Sequence, residues 1–342
     1  MKMNKGVSFA LVGASGVVGT KIIQLIEKRD FPIDEFIPLG NATVGSLIQF
    51  NNKKYQVESL ENFSPKKGQF IIFSAGSSVA EKYARNFVSQ GSFVVDLSSN
   101  FRYEDDVPLI IPEINGEILS SLSKPSLIAN PNCSTAQLLM ALKPIHDQAE
   151  IQFLNIATYQ AVSGTGKAAL EELHNQTYFT DSTSESPVYP KQIAFNVIPQ
   201  CDVFLENNFT KEEMKLAWET HKILDPNIKV QATCVRVPVF NGHSEAVFFK
   251  VSKAISREEI IETLGNSSGI KVLDDPQDGV YPTPVENASD TEDVYVGRIR
   301  SQKFDGDTWI SMWIVADNVY GKGAALNAVQ ICEQLLSINS LK

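Results

Sequence analysis

The stretch that decides the fold is VSFALVGASGVVG, Val7 to Gly19, in which an apolar run leads into a glycine-rich turn. The run Val7–Val12 predicts a strand, and Gly19–Lys28 predicts the helix that follows it. Glycines let the backbone bend sharply and approach a pyrophosphate, to which the helix N-terminus presents N–H groups and a positive dipole end. An ordinary strand-to-helix turn can contain the same glycines, but the position of this turn after the first strand favours dinucleotide binding.

Strands and helices alternate through the first part of the chain. Strand-like runs follow at 36–39, 70–74, 93–97 and 126–129, and a helical stretch lies at 80–90. This alternation is typical of a doubly wound parallel sheet, in which each helix covers a face of the strands that it connects.

The pattern changes after Cys133. A helix is predicted at 134–146 and another at 210–221, where Thr210 and Glu213 have the spacing of a capping box. A polar stretch at 180–190 predicts an extended loop. Longer strand patterns then dominate, at 151–161, 229–239, 244–251, 294–300 and 308–317. They indicate an α+β domain around a mostly antiparallel sheet.

The predicted fold class is therefore α/β with two domains, which suits a chain of 342 residues. A Rossmann-type doubly wound parallel sheet is expected in residues 1–132 and the α+β domain in residues 133–318. An amphipathic closing helix within residues 319–342 is expected to complete the first domain.

Composition and charge limit the possible partners. The formal net charge of −10 lacks the basic footprint of a general nucleic-acid binder, and no apolar run approaches the roughly 20 residues of a membrane span. The four cysteines are widely spaced without a CxxC pair, which is typical of reduced thiols rather than of disulfides or a zinc site. We therefore expect a cytoplasmic protein with a small-molecule ligand and no metal.

The segment NPNCSTA, residues 130–136, contains the candidate nucleophile Cys133. Pro131 fixes the turn, and the thiol then lies at the beginning of a predicted helix, where the dipole and the N–H groups stabilise a thiolate. The same N–H groups could stabilise an oxyanion on the attacked carbonyl. The alternative is a buried structural cysteine, which is the commoner state of a free thiol and the interpretation that we give to Cys201, Cys234 and Cys332.

Several polar residues are candidates to act with this thiol. His243 lies in a glycine-bearing turn between two predicted strands, a place where catalytic groups concentrate, although a surface histidine is the simpler interpretation. Arg236 lies in an apolar strand-like run, and Arg102 follows the fourth strand at the carboxyl end of the predicted sheet. Glu212 and Lys215 share one face of a predicted helix, as a solvated surface ion pair also would.

Seven segments, taken together and in this order, carry a resemblance to a known family. The chain resembles the bacterial type of aspartate-semialdehyde dehydrogenase across essentially its whole length. The matching segments are GASGVVG at 13–19, LSSNFR at 97–102, NPNCST at 130–135, YQAVSGTG at 159–166, EEMKL at 212–216, CVRVPVFNGHSE at 234–245 and DNVYGKGAALNAVQ at 317–330.

The resemblance implies a reaction and a catalytic set. The reaction would be the interconversion of aspartyl phosphate and aspartate semialdehyde, with NADPH as the reductant in the biosynthetic direction, on the route to lysine, threonine and methionine. Cys133 would form the thioester, Gln160 would orient the substrate or the attacked carbonyl, and His243 would be the general acid/base. The second domain would carry this chemistry and form a homodimer, or in some relatives a tetramer.

The resemblance also implies a substrate-binding set. Arg236 would bind the α-carboxylate, which suits its bidentate fork. Arg102 and Lys215 would hold the phosphate, with Asn132 beside them. Glu212 would orient either the substrate amino group or Lys215.

Cofactor contacts are implied at three places in the chain. They are the turn Gly13, Ala14, Ser15, Gly16, Val17, Val18 and Gly19; the segment Asn41, Ala42 and Thr43; and Ser163, Gly164 and Asn318. The second of these follows the second strand and has neither the acid typical of NAD sites nor the arginine that members using NADP usually carry. We therefore expect NADP, with the use of NAD as well as a hypothesis.

Two other functions remain open from the sequence. N-acetyl-γ-glutamyl-phosphate reductase shares the fold and the thiolate chemistry, but acts on an amide-capped substrate that is one carbon longer. The segments at 130–135 and 236–243 favour the aspartate enzyme. A catalytically idle paralogue, kept as a binding protein, should have lost Cys133 or His243, and this chain keeps both.

Overall fold

The chain divides between Pro131 and Asn132 into two structural units. The computed structural model describes residues 6–122, 124–179 and 187–340. The first unit comprises residues 1–131 and 324–342, and the second comprises residues 132–323.

The first unit is built on a parallel sheet. Its strands and helices up to Pro131 are β1 Val7–Val12, α1 Val17–Lys28, β2 Ile33–Gly40, β3 Leu47–Phe50, β4 Lys53–Gln56, β5 Glu58–Ser59, β6 Phe70–Phe73, α2 Ser77–Ser89, β7 Phe93–Asp96, α3 Pro112–Asn115, α4 Ile118–Ser121 and β8 Leu127–Ala129. Six strands form one sheet in the order β5-β2-β1-β6-β7-β8, and every neighbouring pair is parallel. Strands β3 and β4 form a separate antiparallel hairpin.

The strand order places the glycine turn where a ligand is expected. The chain passes from β1 to β2 on one side and later to β6 on the other, so the direction of winding reverses at β1. Ligands of such sheets bind at the carboxyl ends of the strands at this switch point. Gly13, the residue directly after β1, lies there.

The second unit is built on a mixed sheet. Its elements are α5 Cys133–Ala149, β9 Ile151–Gln160, α6 Lys167–Tyr178, α7 Lys211–Ile223, β10 Lys229–Arg236, β11 His243–Val251, α8 Arg257–Gly265, β12 Ile270–Val272, β13 Val294–Phe304 and β14 Asp307–Ala316. The strand order is β10-β9-β11-β14-β13-β12. The three central pairings are antiparallel, and the two outer pairings, β10 with β9 and β12 with β13, are parallel. The chain ends in α9 Ala325–Ser340, which belongs to the first unit.

The predicted fold class is confirmed. The structure adds elements that the sequence analysis did not predict, among them helices α6 and α8 and the hairpin of β3 and β4, and it moves the ends of others. Helix α5 begins at Cys133, because Asn132 is its N-cap, and continues to Ala149. The strand predicted at 36–39 begins earlier, at Ile33, where polar residues precede the apolar core of β2. Of the loop predicted at 180–190, residues 180–186 lie outside the described part of the chain. No helix among the described residues is long and apolar enough to cross a membrane.

Candidate active site

The candidate nucleophile lies at the first turn of helix α5. The Asn132 side chain caps the helix by accepting hydrogen bonds from the N–H groups of Ser134, at 3.0 Å, and Thr135, at 3.4 Å. The Asn132 N–H itself donates to the Glu219 carboxylate at 2.7 Å. Cys133 is partly exposed, whereas the other three cysteines are buried. The helix therefore presents one accessible thiol at its positive end.

This capping changes one sequence-based expectation. The N–H groups of Asn132, Ser134 and Thr135 already donate to carboxylate or amide oxygens within the protein. These three N–H groups are therefore not an oxyanion hole in this state.

Gln160 and Glu212 connect the end of β9 to the two helices. The Gln160 amide nitrogen donates to Ser134 Oγ at 2.9 Å and to Glu212 Oε1 at 3.1 Å. Glu212 Oε1 also accepts a hydrogen bond from the Asn132 side chain at 2.9 Å. Glu212 thus holds both the residue before the thiol and the glutamine beside it.

The Glu212–Lys215 pair is buried, so a solvated surface pair was the wrong alternative. Lys215 Nζ donates to Glu212 Oε2 at 2.9 Å and to Asp202 Oδ2 at 2.7 Å. Burial opposes the ionisation of Glu212, but Lys215, Asn132 and Gln160 outweigh it and lower the pKa of Glu212 to about 2. Burial likewise disfavours the Lys215 cation, and its two carboxylate partners instead raise its pKa. The pair is ionised across the physiological range.

His243 is a buried neutral imidazole with a defined tautomer. Its Nδ1 accepts a hydrogen bond from the Ala161 N–H at 3.0 Å, so the ring proton is on Nε2. Nε2 is buried and has no hydrogen-bond partner among the described residues. Burial, with the Arg236 guanidinium nearby, lowers the pKa of His243 to about 3 and outweighs the opposing charge of Glu212. The imidazole is therefore neutral at physiological pH and has an N–H to donate.

Arg236 meets His243 at the backbone of Ala161. Arg236 Nη1 donates to the Ala161 carbonyl at 2.7 Å, and its guanidinium lies 5.9 Å from the centre of the Tyr189 ring. A Cβ on Gly164 would come within 3.2 Å of both Arg236 Nη1 and His243 Nε2. A larger residue at 164 would require one of these groups to shift by a few tenths of an ångström.

Ser163 and Asn318 lie together beside these groups. The Asn318 side chain donates to Ser163 Oγ at 3.0 Å and accepts from the Gly242 N–H at 3.0 Å. Gly242 directly precedes His243 in the chain. The second unit thus gathers the sequence-predicted residues Cys133, Gln160, His243, Asn132, Glu212, Lys215, Arg236, Ser163, Gly164 and Asn318.

The first unit contains the other predicted contacts with a nucleotide. Gly13 has a φ of +82°, and a Cβ there would lie 2.8 Å from the Ser74 carbonyl oxygen. A Cβ on Gly19 would lie 2.2 Å from the Gly13 carbonyl oxygen. Helix α1 begins after Gly16 without a side-chain cap, so among the described residues no capping side chain occupies its N-terminal N–H groups. This arrangement fits a pyrophosphate.

The segment after β2 folds back toward this turn. Thr43 Oγ1 lies 2.9 Å from Ser15 Oγ, and the Thr43 backbone carbonyl accepts a hydrogen bond from the Ser46 N–H. Asn41 and Ala42 are exposed. Hydroxyl and amide groups, and no ionised side chain of this segment, therefore face the predicted adenosine end.

Arg102 is buried in the first unit at the carboxyl ends of β7 and β8. Its Nε donates to the Asn130 carbonyl at 2.8 Å, and its Nη2 donates to the Leu97 carbonyl at 2.9 Å. These two contacts fix the direction of the guanidinium within the sheet edge.

Sequence reasoning missed Glu219 and Asp202. Glu219 could have been found, because Glu212, Lys215 and Glu219 have the i, i+3, i+7 spacing of one helix face, and charged residues on a buried face need a partner. Asp202 gave no such signal. It lies in an irregular segment with a positive φ of 69° and meets Lys215 only through the tertiary fold.

Fold and site together define the class of protein. A parallel sheet with a glycine turn at its switch point is a nucleotide-binding fold of the Rossmann type. An accessible thiol at a helix N-terminus, linked through Gln160 and Ala161 to a neutral imidazole, is suited to covalent attack on a carbonyl. These are the features of dehydrogenases that bind a nicotinamide nucleotide and carry a reactive thiol.

Comparison with known proteins gives the family. Residues 8–122 match the family described as "Semialdehyde dehydrogenase, NAD binding domain", and residues 142–320 match "Semialdehyde dehydrogenase, dimerisation domain". The chain is 45% identical to the aspartate-semialdehyde dehydrogenase of Shewanella violacea over 338 residues, covering 98% of this chain and 99% of that one. It is 46% identical to the enzyme of that name from Aquifex aeolicus, covering 97% and 98%.

Solved structures agree with this result. Aspartate semialdehyde dehydrogenase II from Vibrio cholerae, complexed with ASA, superimposes with a TM-score of 0.92 at 42% identity, covering 97% of this chain and 99% of that one. Aspartate semialdehyde dehydrogenase with NADP from Candida albicans has a TM-score of 0.74 at 26% identity, covering 98% and 99%. The chain belongs to the aspartate-semialdehyde dehydrogenase family.

Proposed function

We propose that the chain converts L-aspartyl 4-phosphate to L-aspartate 4-semialdehyde with NADPH, through a thioester on Cys133. The observation that carries this proposal is the accessible thiol at the N-terminus of α5, joined through Gln160 to the neutral imidazole of His243. The full-length family relationship supports the choice of substrate.

The first half of the reaction is acyl transfer to Cys133. The thiolate attacks the acyl phosphate carbonyl, a C–S bond forms, and the C–O bond to phosphate breaks. The helix N-terminus favours the thiolate over the thiol. Both Gln160 N–H groups donate within the protein, to Ser134 and Glu212, so the amide oxygen is the atom that Gln160 can offer to the substrate.

The second half is reduction of the thioester, for which bound NADPH supplies the hydride. His243 has its proton on Nε2, and this N–H is the donor that an oxyanion on the former carbonyl requires. Transfer of the Nε2 proton to the oxygen of the former carbonyl gives a thiohemiacetal. Collapse of the thiohemiacetal breaks the C–S bond, releases the aldehyde and returns the proton to the enzyme.

The charged residues suit the two anionic groups of the substrate. Arg236 is held through one nitrogen only, on the Ala161 carbonyl, and its Nε has no hydrogen-bond partner among the described residues. It can therefore bind the α-carboxylate by a second edge of the guanidinium. Lys215 keeps one ammonium hydrogen beyond its two carboxylate contacts, and we assign it to the phosphate with Asn132. We assign Arg102 to the phosphate only because its segment, residues 97–102, resembles the corresponding segment of the family.

We propose that the enzyme uses NADP and can also use NAD. The residues at 41–43 offer hydroxyl and amide groups, led by Thr43, which can hydrogen-bond either a 2′-phosphate or a 2′-hydroxyl. A preference for NADPH over NADH of more than about a thousandfold in kcat/KM, roughly 4 kcal/mol, would contradict dual use.

A homodimer is proposed through the second unit. The face of its sheet that does not carry the catalytic side chains has a row of aromatic rings that are half-buried or, at Tyr159, exposed. In this row Phe248 stacks on Trp309 at 4.8 Å, and Tyr159 lies 5.4 Å from Trp313. Such a face is suited to a second copy. The four cysteines are thiols, which supports a cytoplasmic location.

The assay that tests the function is phosphate-dependent oxidation of aspartate semialdehyde, followed with NADP and with NAD side by side. Activity should require phosphate and fall to background in Cys133→Ala. N-acetylglutamate semialdehyde is the comparison substrate, and faster turnover of it would favour the reductase. Full turnover by Cys133→Ala would rule out the covalent mechanism.

A further inference from the structure

Behind the catalytic groups lies a second pair of polar residues, Gln137 and Glu245, both of which are fully buried. Gln137 follows Cys133 by four residues on α5, and Glu245 follows His243 by two residues on β11, so each lies on the same face as the catalytic residue before it. Four helical residues advance about 6 Å and two strand residues about 6.6 Å. Because α5 packs against β11 and the two distances are nearly equal, Gln137 and Glu245 lie at the same depth behind the catalytic residues.

The hydrogen bonds of this pair are incomplete. Gln137 Nε2 donates to the backbone carbonyl of His243 at 3.4 Å, which ties α5 to the strand at the catalytic residue itself. Gln137 Oε1 and both carboxyl oxygens of Glu245 have no hydrogen-bond partner among the described residues. These three atoms are acceptors, and the donors beside them are the second N–H of Gln137 and the Thr158 hydroxyl, which also has no hydrogen-bond partner among the described residues. An ionised carboxylate is costly in a place from which solvent is excluded, and a proton on Glu245 lowers that cost and supplies a donor to Gln137 Oε1.

We infer that Glu245 is a positioning residue of the active site, a neutral carboxylic acid whose O–H donates to Gln137 Oε1. This contact orients the Gln137 amide with its N–H toward the His243 carbonyl, and so fixes His243 relative to the helix that begins with Cys133. An ionised Glu245 would attract the Gln137 N–H groups and release that carbonyl. The inference rests on the proposed function only for the roles of Cys133 and His243.

The surroundings of Glu245 favour the neutral form. Directly across from it are Thr158 on β9 and Ile314 on β14. Burial raises the pKa of Glu245 well above its ordinary value, and the nearby Gln137 amide opposes only part of this rise. The nearest ionisable side chains on β11 and on the elements packed against it are His243, Cys133 on α5 and, on the opposite face of β9, Tyr159; one strand further, β10 carries Cys234 and Arg236.

The test compares three variants of the full chain. Glu245→Gln keeps a neutral donor to Gln137 Oε1, and Glu245→Leu keeps the volume but removes the donor. Val247→Ala is the control, since Val247 is the next buried residue on the same face of β11 and makes no polar contact. We expect Glu245→Gln to keep kcat within about twofold and Glu245→Leu to lower kcat about tenfold, with the KM for aspartate semialdehyde little changed. Val247→Ala should lose stability but keep its kcat.

The pH dependence of unfolding tests the protonation state directly. In the wild type the folded state holds a proton that the unfolded chain releases above about pH 4.5, so stability falls with rising pH until the folded pKa is passed. Glu245→Gln lacks this loss, and its stability relative to the wild type should increase as the pH rises. The inference would be overturned if the wild type and Glu245→Gln showed the same pH dependence of stability. It would also be overturned if Glu245→Gln were as slow as Glu245→Leu, or if Glu245→Leu kept the wild-type kcat.

A third measurement separates this inference from the proposed function. Iodoacetamide under native conditions reports on Cys133, because the other three cysteines are buried. Glu245→Leu should change the alkylation rate of Cys133 about threefold or more, and Glu245→Gln and Val247→Ala should not. If the wild type fails to oxidise aspartate semialdehyde, the proposed function is wrong. The alkylation and unfolding experiments still decide the role of Glu245, and an unchanged alkylation rate in Glu245→Leu counts against it.

Discussion

The charge of each residue in the site follows from what touches it. His243 and Glu212 are both buried, and burial by itself would make both neutral. Glu212 has Lys215 and two amide donors in contact, which lower its pKa to about 2 despite burial. His243 has only burial and a nearby guanidinium, which lower its pKa to about 3. The site therefore holds a fixed anion and a neutral proton donor side by side.

His243 should make the protein less stable in acid. Its pKa is about 3 when folded and about 6.5 when unfolded, so the unfolded chain binds the extra proton as the pH falls between these values. Stability from this residue is complete above about pH 6.5 and is lost at up to roughly 1.4 kcal/mol per pH unit below it. Chemical denaturation from about pH 7 to 4 should show a smaller loss in His243→Gln. Parallel curves for the two proteins would contradict a buried neutral imidazole.

Gly164→Ala should damage the site more than the fold. The added Cβ would lie 3.2 Å from His243 Nε2 and Arg236 Nη1, so one of them must shift, and we expect kcat/KM to fall about tenfold or more. Gly166→Ala is the matched control, because Gly166 has a φ of +100° and open space around its Cβ position. That variant should lose about 1 kcal/mol of stability and keep its activity. Similar kinetics in the two variants would show that close approach at Gly164 is unimportant.

At the scale of the elements, helix α7 is fixed at its start because it carries a buried charged face. Thr210 caps it in a complete capping box, as the sequence predicts. Glu213 of that box also accepts a hydrogen bond from the Cys234 N–H at 3.0 Å, which ties the helix to β10. The same helix then presents Glu212, Lys215 and Glu219 to the site. We therefore expect a change at the cap to be transmitted to the residues that we propose bind the substrate.

Thr210→Ala should combine a stability loss with a kinetic defect. Removing the cap costs about 1 kcal/mol and lets the turn that holds Glu212 move, so the KM for aspartate semialdehyde or phosphate should rise. Ser256→Ala removes an equivalent capping box from α8, which carries none of the site residues. Urea unfolding and steady-state kinetics on both variants make the comparison. An equal rise of KM in the two would mean that general destabilisation is the cause.

The elements also show where sequence patterns are informative. Strands β1, β6 and β7 are buried throughout, except for the first residues of β1, and their apolar runs predict them. The hairpin of β3 and β4 is short, largely exposed and polar, so hydrophobic periodicity does not reveal it. The start of α5 was missed by one residue, because the capping role of Asn132 depends on where its side chain turns.

At the scale of the whole molecule, the homodimer that we propose uses the aromatic face of the sheet in the second unit. We expect Trp309→Asp to shift the protein toward the monomer in light scattering, because it puts a charge between Phe153 and Phe248. Leu47→Asp, at an exposed apolar residue of the first unit, should leave the mass unchanged. If Trp309→Asp remains a dimer, the interface lies on another surface. If the wild type is a tetramer, it has a second interface in addition to this one.

The sequence by itself determined the local features: the glycine turn after β1, the capping box of α7, the thiol near the start of a helix and the alternation of the first unit. These depend on backbone conformation and on neighbours a few residues away. The tertiary structure alone decided three other features. They are the proximity of Cys133, Gln160, Glu212 and His243, the burial of the Glu212–Lys215 pair, and the pairing of Lys215 with Asp202. Their charges depend on burial and on partners far away in the chain. Glu245 shows this most plainly: the alternation along β11 places it on the buried face, but only the tertiary structure brings Gln137 of α5 beside it.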